Sequence, residues 1–376
     1  MIETEAKIGV AQAASPRPGV WWTYAVASLV LVGAAAAYLP GFSPHAQYGY
    51  KVFGSFWASG WAAAHHLDPY AVYPLTWIFH LDGHPGTVAD LNLSPPAMLP
   101  IFEAMAWFSP AVAAKIWTLL SLGLFLGCGA LLVQTYRGHI QHRQIVWFLL
   151  ARAVFNTLWL GQDYSLFVAL AVAAWLLLER DRQVAAGIFL GLLIAFKPNY
   201  ALWPLLLVFC GKWRASAVAA GVAAGLCALP LALYGPGIYG EWMRAVAGDP
   251  HWFFPNEVSI PGLSMRLGHP RIGEMLAAAL LVATCGVVVW KRPSLRVTSG
   301  AALGVAMLAS PLAWYQYAML LAGPLLRERW SVALSVMLLV LLLPLGPFVF
   351  APIWGVTAYF LWTAASAKTA SEEAVS

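Results

Sequence analysis

Three short polar motifs interrupt the apolar stretches of this chain and carry the residues best suited to chemistry. The motifs are Gly161-Gln162-Asp163-Tyr164, Lys197-Pro198-Asn199-Tyr200, and Ser310-Pro311 followed by Trp314-Tyr315-Gln316. Lys197 is the strongest candidate, because it ends the apolar run 188–196 and a lysine at the centre of a spanning helix costs about 2.5–3.5 kcal/mol. A cation fixed beside a helix start suits a phosphate or pyrophosphate group. The alternative is a lysine whose ammonium group reaches the membrane interface.

Polar residues in the same motifs are predicted to contribute to one ligand site. Gln162 and Asp163 fall in a turn before a predicted helix. Asp163 is either the N-cap of that helix or a polar contact to a ligand or to Lys197, and both roles can coexist. Asn199 and Gln316 belong to the other two motifs and are predicted to face the same cavity.

Two polar segments, 41–95 and 235–271, are too long to be simple turns. Asp68, which precedes a proline, could act as a general base for a hydroxyl group, but Asp-Pro also starts turns well. His45 could relay protons, and the lack of HExxH or paired Cys/His spacing argues against a metal site. Trp252 could grip a lipid or stack on a sugar, or could anchor the chain at the membrane interface.

The composition places the chain in a membrane. Hydrophobic residues make up 61% of its 376 residues and charged residues only 10%, whereas an ordinary soluble domain is about 25% charged. We therefore predict an all-α polytopic membrane protein. Most lysines and arginines lie in short clusters between apolar segments, which is typical of topology signals and not of nucleic-acid binding. The chain has no Walker motif, no GxSxG motif and no Rossmann fingerprint, so nucleotide-driven chemistry is unsupported.

Five basic clusters determine the predicted topology. They are 137–143, 180–182, 212–214, 291–296 and 327–329, and the positive-inside rule places all of them in the cytoplasm. The predicted organisation is a cytoplasmic tail 1–19, a transmembrane domain 20–366 with external segments 41–95 and 235–271, and a cytoplasmic tail 367–376. The domain is predicted to hold about 12 spans (range about 10–13): 20–39, 111–135, 144–160, 163–179, 183–197, 199–211, 214–234, 272–290, 297–310, 312–326, 330–345 and 348–366. The three polar motifs then fall on the external side, where broken helices must line a cavity.

The polar motifs and their order resemble those of glycosyltransferase family 87. The segment 161–208, GQDYSLFVALAVAAWLLLERDRQVAAGIFLGLLIAFKPNYALWPLLLV, is similar to the central block of that family. In that block a GQ-containing turn, a helix, a basic turn, an AG-led helix and a KP dipeptide recur in this order. SFWASGWAAAHHLDPY at 55–70 looks like the block after the family's first helix, and SPPAMLPIFEAMAWF at 94–108 resembles its proline-led segment. The resemblance covers roughly 53–208, and the C-terminal half matches in hydropathy only.

The resemblance implies a GT-C-like helix bundle that transfers a hexose, commonly mannose, from polyprenyl phosphate to a lipid or glycan acceptor at the external face. Such enzymes are usually described as inverting and metal-independent, so the lipid-linked donor is expected to be used without a cofactor. Lys197, with Gln162 and Asp163 nearby, would contact the donor phosphate. Contacts to donor or acceptor are expected from Asn199, Gln316 and Trp252. The implied setting is the plasma (inner) membrane and the cell envelope, with membrane lipids and the two substrates as partners and no nucleic acid.

One position departs from the family pattern. An Asp-Phe pair usually opens the block after the family's first helix, and that Asp is the expected base. The alignment places Val52 at the Asp position, and valine cannot accept a proton. Either Asp68 or His45 acts as the base, or the alignment is displaced, or the chain is a non-catalytic relative. A non-catalytic relative would be a lipid-binding, flippase-like protein or an assembly subunit.

Overall fold

The computed structural model describes residues 19–39, 51–71, 92–248 and 257–367, and the regular elements in these ranges are all helices. The α-helices are α1 (Val20–Tyr38), α2 (Lys51–Ala64), α3 (Leu99–Ala106), α4 (Pro110–Tyr136), α5 (His142–Leu150), α6 (Arg152–Leu160), α7 (Tyr164–Glu179), α8 (Gln183–Phe196), α9 (Leu202–Leu207), α10 (Trp213–Tyr234), α11 (Ile238–Gly248), α12 (Ile260–Arg266), α13 (Pro270–Lys291), α14 (Leu295–Leu308), α15 (Ala322–Leu326), α16 (Val332–Leu339) and α17 (Phe350–Ala365). Short 3₁₀ helices extend or connect several of them. The predicted all-helical class is confirmed for these residues.

Five helical segments of the described chain are long and apolar enough to cross a membrane. They are α1, α4, α10, α13 and Gly346–Ala365, the last of which joins a 3₁₀ turn to α17. Six further apolar helical segments there have only 10–17 residues, fewer than the ~20 that a bilayer requires. The chain is therefore a membrane protein, but the predicted set of about 12 spans is not confirmed.

Several predicted spans are divided by breaks that hydropathy does not show. The predicted span 144–160 is two helices, α5 and α6, because Ala151 between them is non-helical, with φ −56° and ψ 138°. The predicted span 312–326 is mostly the 3₁₀ helix Tyr315–Leu321, followed by the five-residue α15. The break at Ala151 contains no proline or glycine, and Arg152 directly after it is the one charge in this part of the predicted span.

The five basic clusters lie together at one end of the helix bundle, which we call the basic face. Four contacts link them: Lys212 Nζ to Asp181 Oδ1 at 2.8 Å, Arg327 Nε to Glu179 Oε1 at 2.6 Å, Arg296 Nε to Glu328 Oε1 at 2.8 Å, and Arg143 Nη2 to the Trp330 carbonyl oxygen at 2.6 Å. Exposed ion pairs contribute about 1 kcal/mol or less, so these contacts establish proximity more than stability. All five clusters share one side, as the positive-inside rule requires.

The polar motifs lie at the opposite end of the bundle, which we call the break face. Helix α7 begins at Tyr164, directly after the turn at Gly161, and ends at Glu179 on the basic face. Its 16 residues separate the two faces by about 24 Å. The turn depends on glycine, because the φ of Gly161 is 66°, and this lets Gln162 N donate to the Thr157 carbonyl at 3.0 Å.

Two glycines bring α8 into direct contact with α10. Gly187 and Gly191 are four residues apart and therefore lie on one face of α8. A Cβ atom on Gly187 would lie 2.6 Å from the carbonyl oxygen of Ala215, and one on Gly191 would lie 2.5 Å from Cβ of Val222. No side chain fits at these distances, so the two helices pack closely and hold their ends in a fixed relative position.

The predicted external segment 235–271 is partly helical, because it contains α11 and α12. The indole Nε1 of Trp242 in α11 donates a hydrogen bond to the carbonyl oxygen of Leu93 at 3.0 Å. Helix α11 therefore packs against the short segment that precedes α3, and this segment leads into the break face.

Candidate functional site

Lys197 lies among aromatic rings on the break face. Its ammonium nitrogen is 4.8 Å from the ring centre of Tyr317 and 6.0 Å from that of Tyr164. These two rings meet edge to face, with centroids 4.7 Å apart, and the Tyr200 ring lies 6.0 Å from Tyr317. An aromatic face attracts a cation without accepting its hydrogen bonds, so the ammonium group retains donors for an anionic ligand. Buried rings hold the side chain, which argues against a lysine that extends to the membrane interface.

Asp163 faces this lysine from the turn before α7. Its Oδ2 accepts a hydrogen bond from Ser94 Oγ at 3.3 Å, and its negative charge attracts the Lys197 ammonium group. The side chain makes no capping hydrogen bond to α7. Asp163 therefore holds the predicted N-cap position without capping the helix through its side chain, while its charge interacts with that of Lys197. Ser94 is itself held by Asn92, whose Oδ1 accepts from Ser94 N at 2.9 Å.

Several polar groups of the three motifs are buried without a hydrogen-bond partner in the described part of the chain. They are Gln162 Oε1, Asn199 Nδ2, the Tyr200 hydroxyl, the Tyr315 hydroxyl and Gln316 Oε1. Gln316 is 1% exposed and Gln162 is 6% exposed, whereas buried polar groups in folded proteins are nearly always hydrogen-bonded. Amide and hydroxyl groups of this kind match the hydrogen-bonding groups of a sugar. The contacts of Lys197 bring these motifs together, so they form one polar site.

Asp68 is linked to this site by a short chain of hydrogen bonds. Its Oδ1 accepts from Tyr70 N at 2.8 Å, which is the turn predicted as the alternative to catalysis. The Tyr70 hydroxyl donates to the Ser94 carbonyl oxygen at 2.9 Å. Ser94 in turn binds Asp163, so Asp68 borders the region that contains Lys197.

Glu241 of α11 stands beside Asp68, and sequence reasoning did not identify it. Burial, and then the negative charge of Asp68, raise the pKa of Glu241, while Arg244 acts in the opposite direction. A carboxylate in this position is suited to accept a proton from a bound hydroxyl group. The pair also joins the two external segments of the sequence.

Glu257 fixes the backbone of the third polar motif. It is 0% exposed, and its Oε1 accepts from Ser259 N at 3.1 Å and from Ala313 N at 3.0 Å. Burial raises the pKa of this carboxyl group. Because Ala313 lies three residues before Gln316, these two hydrogen bonds hold the chain that carries Gln316 into the site.

The structure brings most of the predicted site residues together. The group on the break face consists of Lys197, Gln162, Asp163, Asn199 and Gln316. Asp68 borders this group, whereas His45 and Trp252 lie outside the described residues. Sequence reasoning missed a second group: Ser94, Tyr164, Tyr200, Tyr317, Glu241 and Glu257. A tyrosine in or next to each polar motif was an available signal, but nothing in the sequence marks Ser94 or Glu241.

The described residues contain no cluster of three or more histidine, cysteine, aspartate or glutamate side chains that could hold a metal ion. Metal-independent chemistry remains a prediction, because the histidines at 45, 80, 84 and 251 lie outside these residues.

Fold and site together define a polytopic helical membrane protein with a polar ligand site between broken helices at one end of the bundle. The family model of glycosyltransferase family 87 matches residues 92–313, which is more than half of the 376-residue chain. The chain belongs to glycosyltransferase family 87 and is, by that membership, a membrane glycosyltransferase. No curated protein and no solved structure matches it.

The matched range differs from the extent of the resemblance seen in the sequence. It includes the central block 161–208 and continues to 313, so the family match extends into the C-terminal half but leaves out 314–376. It begins at 92 and leaves out 55–70 and Val52. The match therefore gives no support to the alignment that put Val52 at a catalytic position.

Proposed function

We propose that this protein transfers a hexose, mannose by family analogy, from a polyprenyl-phosphate donor to a hydroxyl group of a lipid or glycan. One observation carries the proposal. The Lys197 ammonium group is held by the faces of Tyr317 and Tyr164, beside buried amides that lack partners among the described residues. A fixed cation suits the donor phosphate, and the amides suit the hydroxyl groups of the sugar.

Different residues of the site bind different parts of the two substrates. Lys197 binds the donor phosphate with its three N–H donors, and Asp163 orients Lys197 through their opposite charges. Gln162, Asn199 and Gln316 contact the sugar or the acceptor. His45 and Trp252 remain candidates for a base and for a sugar or lipid contact.

The transfer step needs a base on one side of the sugar and an anion site on the other. The acceptor O–H gives its proton to a carboxylate of the Asp68–Glu241 pair, and its oxygen forms a bond to the anomeric carbon. The bond from that carbon to the phosphate oxygen breaks, and the electron pair leaves with the lipid phosphate. Lys197 stabilises the charge that develops on this leaving group. Attack opposite the leaving group inverts the anomeric configuration.

We place the reaction at the extracytoplasmic side of the plasma (inner) membrane. The five basic clusters share the basic face, and the positive-inside rule favours the cytoplasm for such a face. The break face, about 24 Å away along α7, then opens to the outside. Both chain termini are cytoplasmic in this arrangement. Nucleotide sugars are cytoplasmic, so a reaction on the external side needs a lipid-linked donor such as a polyprenyl-phosphate sugar.

The decisive variant is Lys197→Ala, tested in proteoliposomes with polyprenyl-phosphate mannose carrying a labelled sugar. We expect transfer of label from the donor to fall about 100-fold or more, as for loss of one stabilising group in a transition-state site. The control is Lys115→Ala, because Lys115 is an exposed lysine near the break-face end of α4, and we expect its activity to be unchanged. Unimpaired transfer by folded Lys197→Ala would remove the phosphate role.

A second candidate function is a non-catalytic lipid-binding or assembly protein, favoured by the hydrogen bond that commits one Asp68 oxygen to a turn. Asp68→Asn discriminates the two functions, since the asparagine oxygen can still accept from Tyr70 N. An enzyme that uses Asp68 should keep donor binding and lose turnover. A binding protein should bind the donor equally in both forms and show no turnover in either.

A further inference from the structure

A groove on the basic face lies far from the proposed transfer site. Its volume is about 470 Å³, and the first turns of α8 and the start of α10 line it. Helix α8 has 14 residues, so about 21 Å separates its first turn from Lys197 at the other end. Any ligand of this groove is therefore distinct from a ligand of the Lys197 site.

The groove is positively charged. Arg182 and Arg214 line it, and both side chains are exposed. Asp181 also lines it, but its carboxylate accepts hydrogen bonds from Lys212 Nζ at 2.8 Å and Gln183 Nε2 at 3.0 Å. The lysine offsets the aspartate, so the charge of the two guanidinium groups remains. Guanidinium groups bind phosphate oxygens in a bidentate manner.

An apolar strip continues from the arginines along α8. Val184 and Ile188 line the groove, are 58% and 43% exposed, and are four residues apart on one helix face. On a membrane helix, such side chains face the acyl chains of the bilayer. The groove therefore presents phosphate-binding groups at one end and a lipid-facing apolar surface at the other.

The close packing of α8 and α10 makes this arrangement rigid. Gly187 and Gly191 place the α8 backbone directly against Ala215 and Val222 of α10. Arg182 lies just before this contact on α8, and Arg214 lies next to Ala215 on α10. The two guanidinium groups are thus mounted on helices that cannot move apart independently.

We propose that this groove binds an anionic phospholipid of the leaflet at the basic face, with its phosphate between Arg182 and Arg214 and an acyl chain along Val184 and Ile188. Basic pockets between membrane helices are known to select anionic headgroups. The apolar strip favours a lipid over a free phosphate ion, because a soluble anion gains nothing from Val184 and Ile188.

The test is retention of phosphatidylglycerol by the full-length protein, reconstituted in phosphatidylcholine vesicles with a minor fraction of that lipid and then re-extracted in mild detergent. We expect the double variant Arg182→Gln/Arg214→Gln to retain roughly tenfold less phosphatidylglycerol. The matched control is Arg137→Gln/Arg329→Gln, which removes two exposed arginines of the same face outside the groove, and we expect normal retention. Equal loss in both double variants would show a general surface potential and would overturn the proposal.

Two further experiments distinguish a phospholipid from a free phosphate ion as the ligand. Ile188→Gln leaves every charge in place, and we expect it to lower retention of phosphatidylglycerol as well. If Ile188→Gln retains the lipid normally, or if inorganic phosphate binds the wild type while phosphatidylglycerol is not enriched, the groove is a site for a free anion and the lipid assignment fails. Thermal unfolding of each variant in neutral detergent confirms that the fold is intact.

Discussion

The position of Lys197 follows from the residue after it. Proline disfavours the helical conformation of the preceding residue, and Lys197 has φ −147° and ψ 81° at the end of α8. The side chain therefore leaves the helix axis and reaches the rings of Tyr317 and Tyr164. Those rings and the charge of Asp163 offset the cost of keeping a cation inside a helix bundle.

The carboxyl groups near the site lie in different environments, which suit them to different roles. Glu257 is enclosed and uses its Oε1 to hold two backbone N–H groups. Glu241 and Asp68 lie closer to the surface, and the charge of Asp68 adds to burial in raising the pKa of Glu241. The first arrangement supports the backbone, and the second is suited to proton transfer.

At the residue scale we predict that Glu241 makes the stability of the protein depend on pH. Its pKa is raised above 4.5, first by burial and then by Asp68, so the folded state holds this proton more tightly than the unfolded state. The stabilisation is fully present below the unfolded pKa and is lost as pH rises through the raised pKa. We expect Glu241→Gln to show a smaller fall in Tm than the wild type as the pH is raised from about 4.5 to neutral.

The control for that experiment is Glu274→Gln, which removes an exposed carboxyl group on α13. It should reproduce the pH profile of the wild type. Identical profiles for the wild type and Glu241→Gln would contradict the raised pKa of Glu241.

The elements that form the site are short because they do not all cross the membrane. Helices α6, α7 and α8 end or begin at the break face, and the 3₁₀ helix Tyr315–Leu321 meets them there. Broken helices leave unpaired backbone groups, which are tolerated at membrane depth only where protein or a polar cavity surrounds them. The breaks are thus the structural condition for a polar site in this bundle.

At the element scale we predict that the contact of α8 with α10 tolerates no added methyl group. In Gly191→Ala the new Cβ would lie 2.5 Å from Cβ of Val222 and 2.8 Å from the Ala219 carbonyl oxygen. The helices must separate, at a cost of about 1–3 kcal/mol. We expect a clear fall in Tm in detergent.

The matched control is Gly225→Ala on α10, where a Cβ meets nothing within 4 Å, and helix propensity should leave stability equal or raise it by about 0.5–1 kcal/mol. Equal Tm values for both variants would contradict the close packing.

The molecule as a whole has two chemically different ends. The basic face collects arginines and lysines with their carboxylate partners. The break face collects buried amides and tyrosines around Lys197. The two proposals, lipid binding and sugar transfer, therefore concern opposite ends of one helix bundle.

At the scale of the whole molecule we predict that the two ends are labelled from opposite sides of the membrane. Ser109→Cys lies at the break-face end of α4 and Arg329→Cys lies on the basic face, and both positions are exposed. In a background in which the four native cysteines are replaced, a membrane-impermeant maleimide added outside intact cells should label only Ser109→Cys. Inverted vesicles should give the reverse. Labelling of both positions from the same side would overturn the topology.

The amino-acid sequence was sufficient for the class of fold and for part of the site. Helical boundaries such as Val20–Tyr38 and Trp213–Tyr234 agree closely with the predicted spans 20–39 and 214–234. Apolar content and basic clusters are properties of the local sequence, so they can be read without tertiary contacts. The predicted number of spans is not confirmed, because breaks such as the one at Ala151 fall within single predicted spans.

What the sequence determined by itself was the membrane class, the polar interruptions and the choice of Lys197 as a candidate, because a charge or a break in an apolar run can be recognised without tertiary contacts. Only the tertiary structure decided which groups meet there. Ser94 lies 69 residues from Asp163, and Glu241 approaches Asp68 from a separate segment. Such partners are selected by the packing of helices that are distant in the chain. No spacing rule connects them, so their roles become visible only when the bundle is assembled.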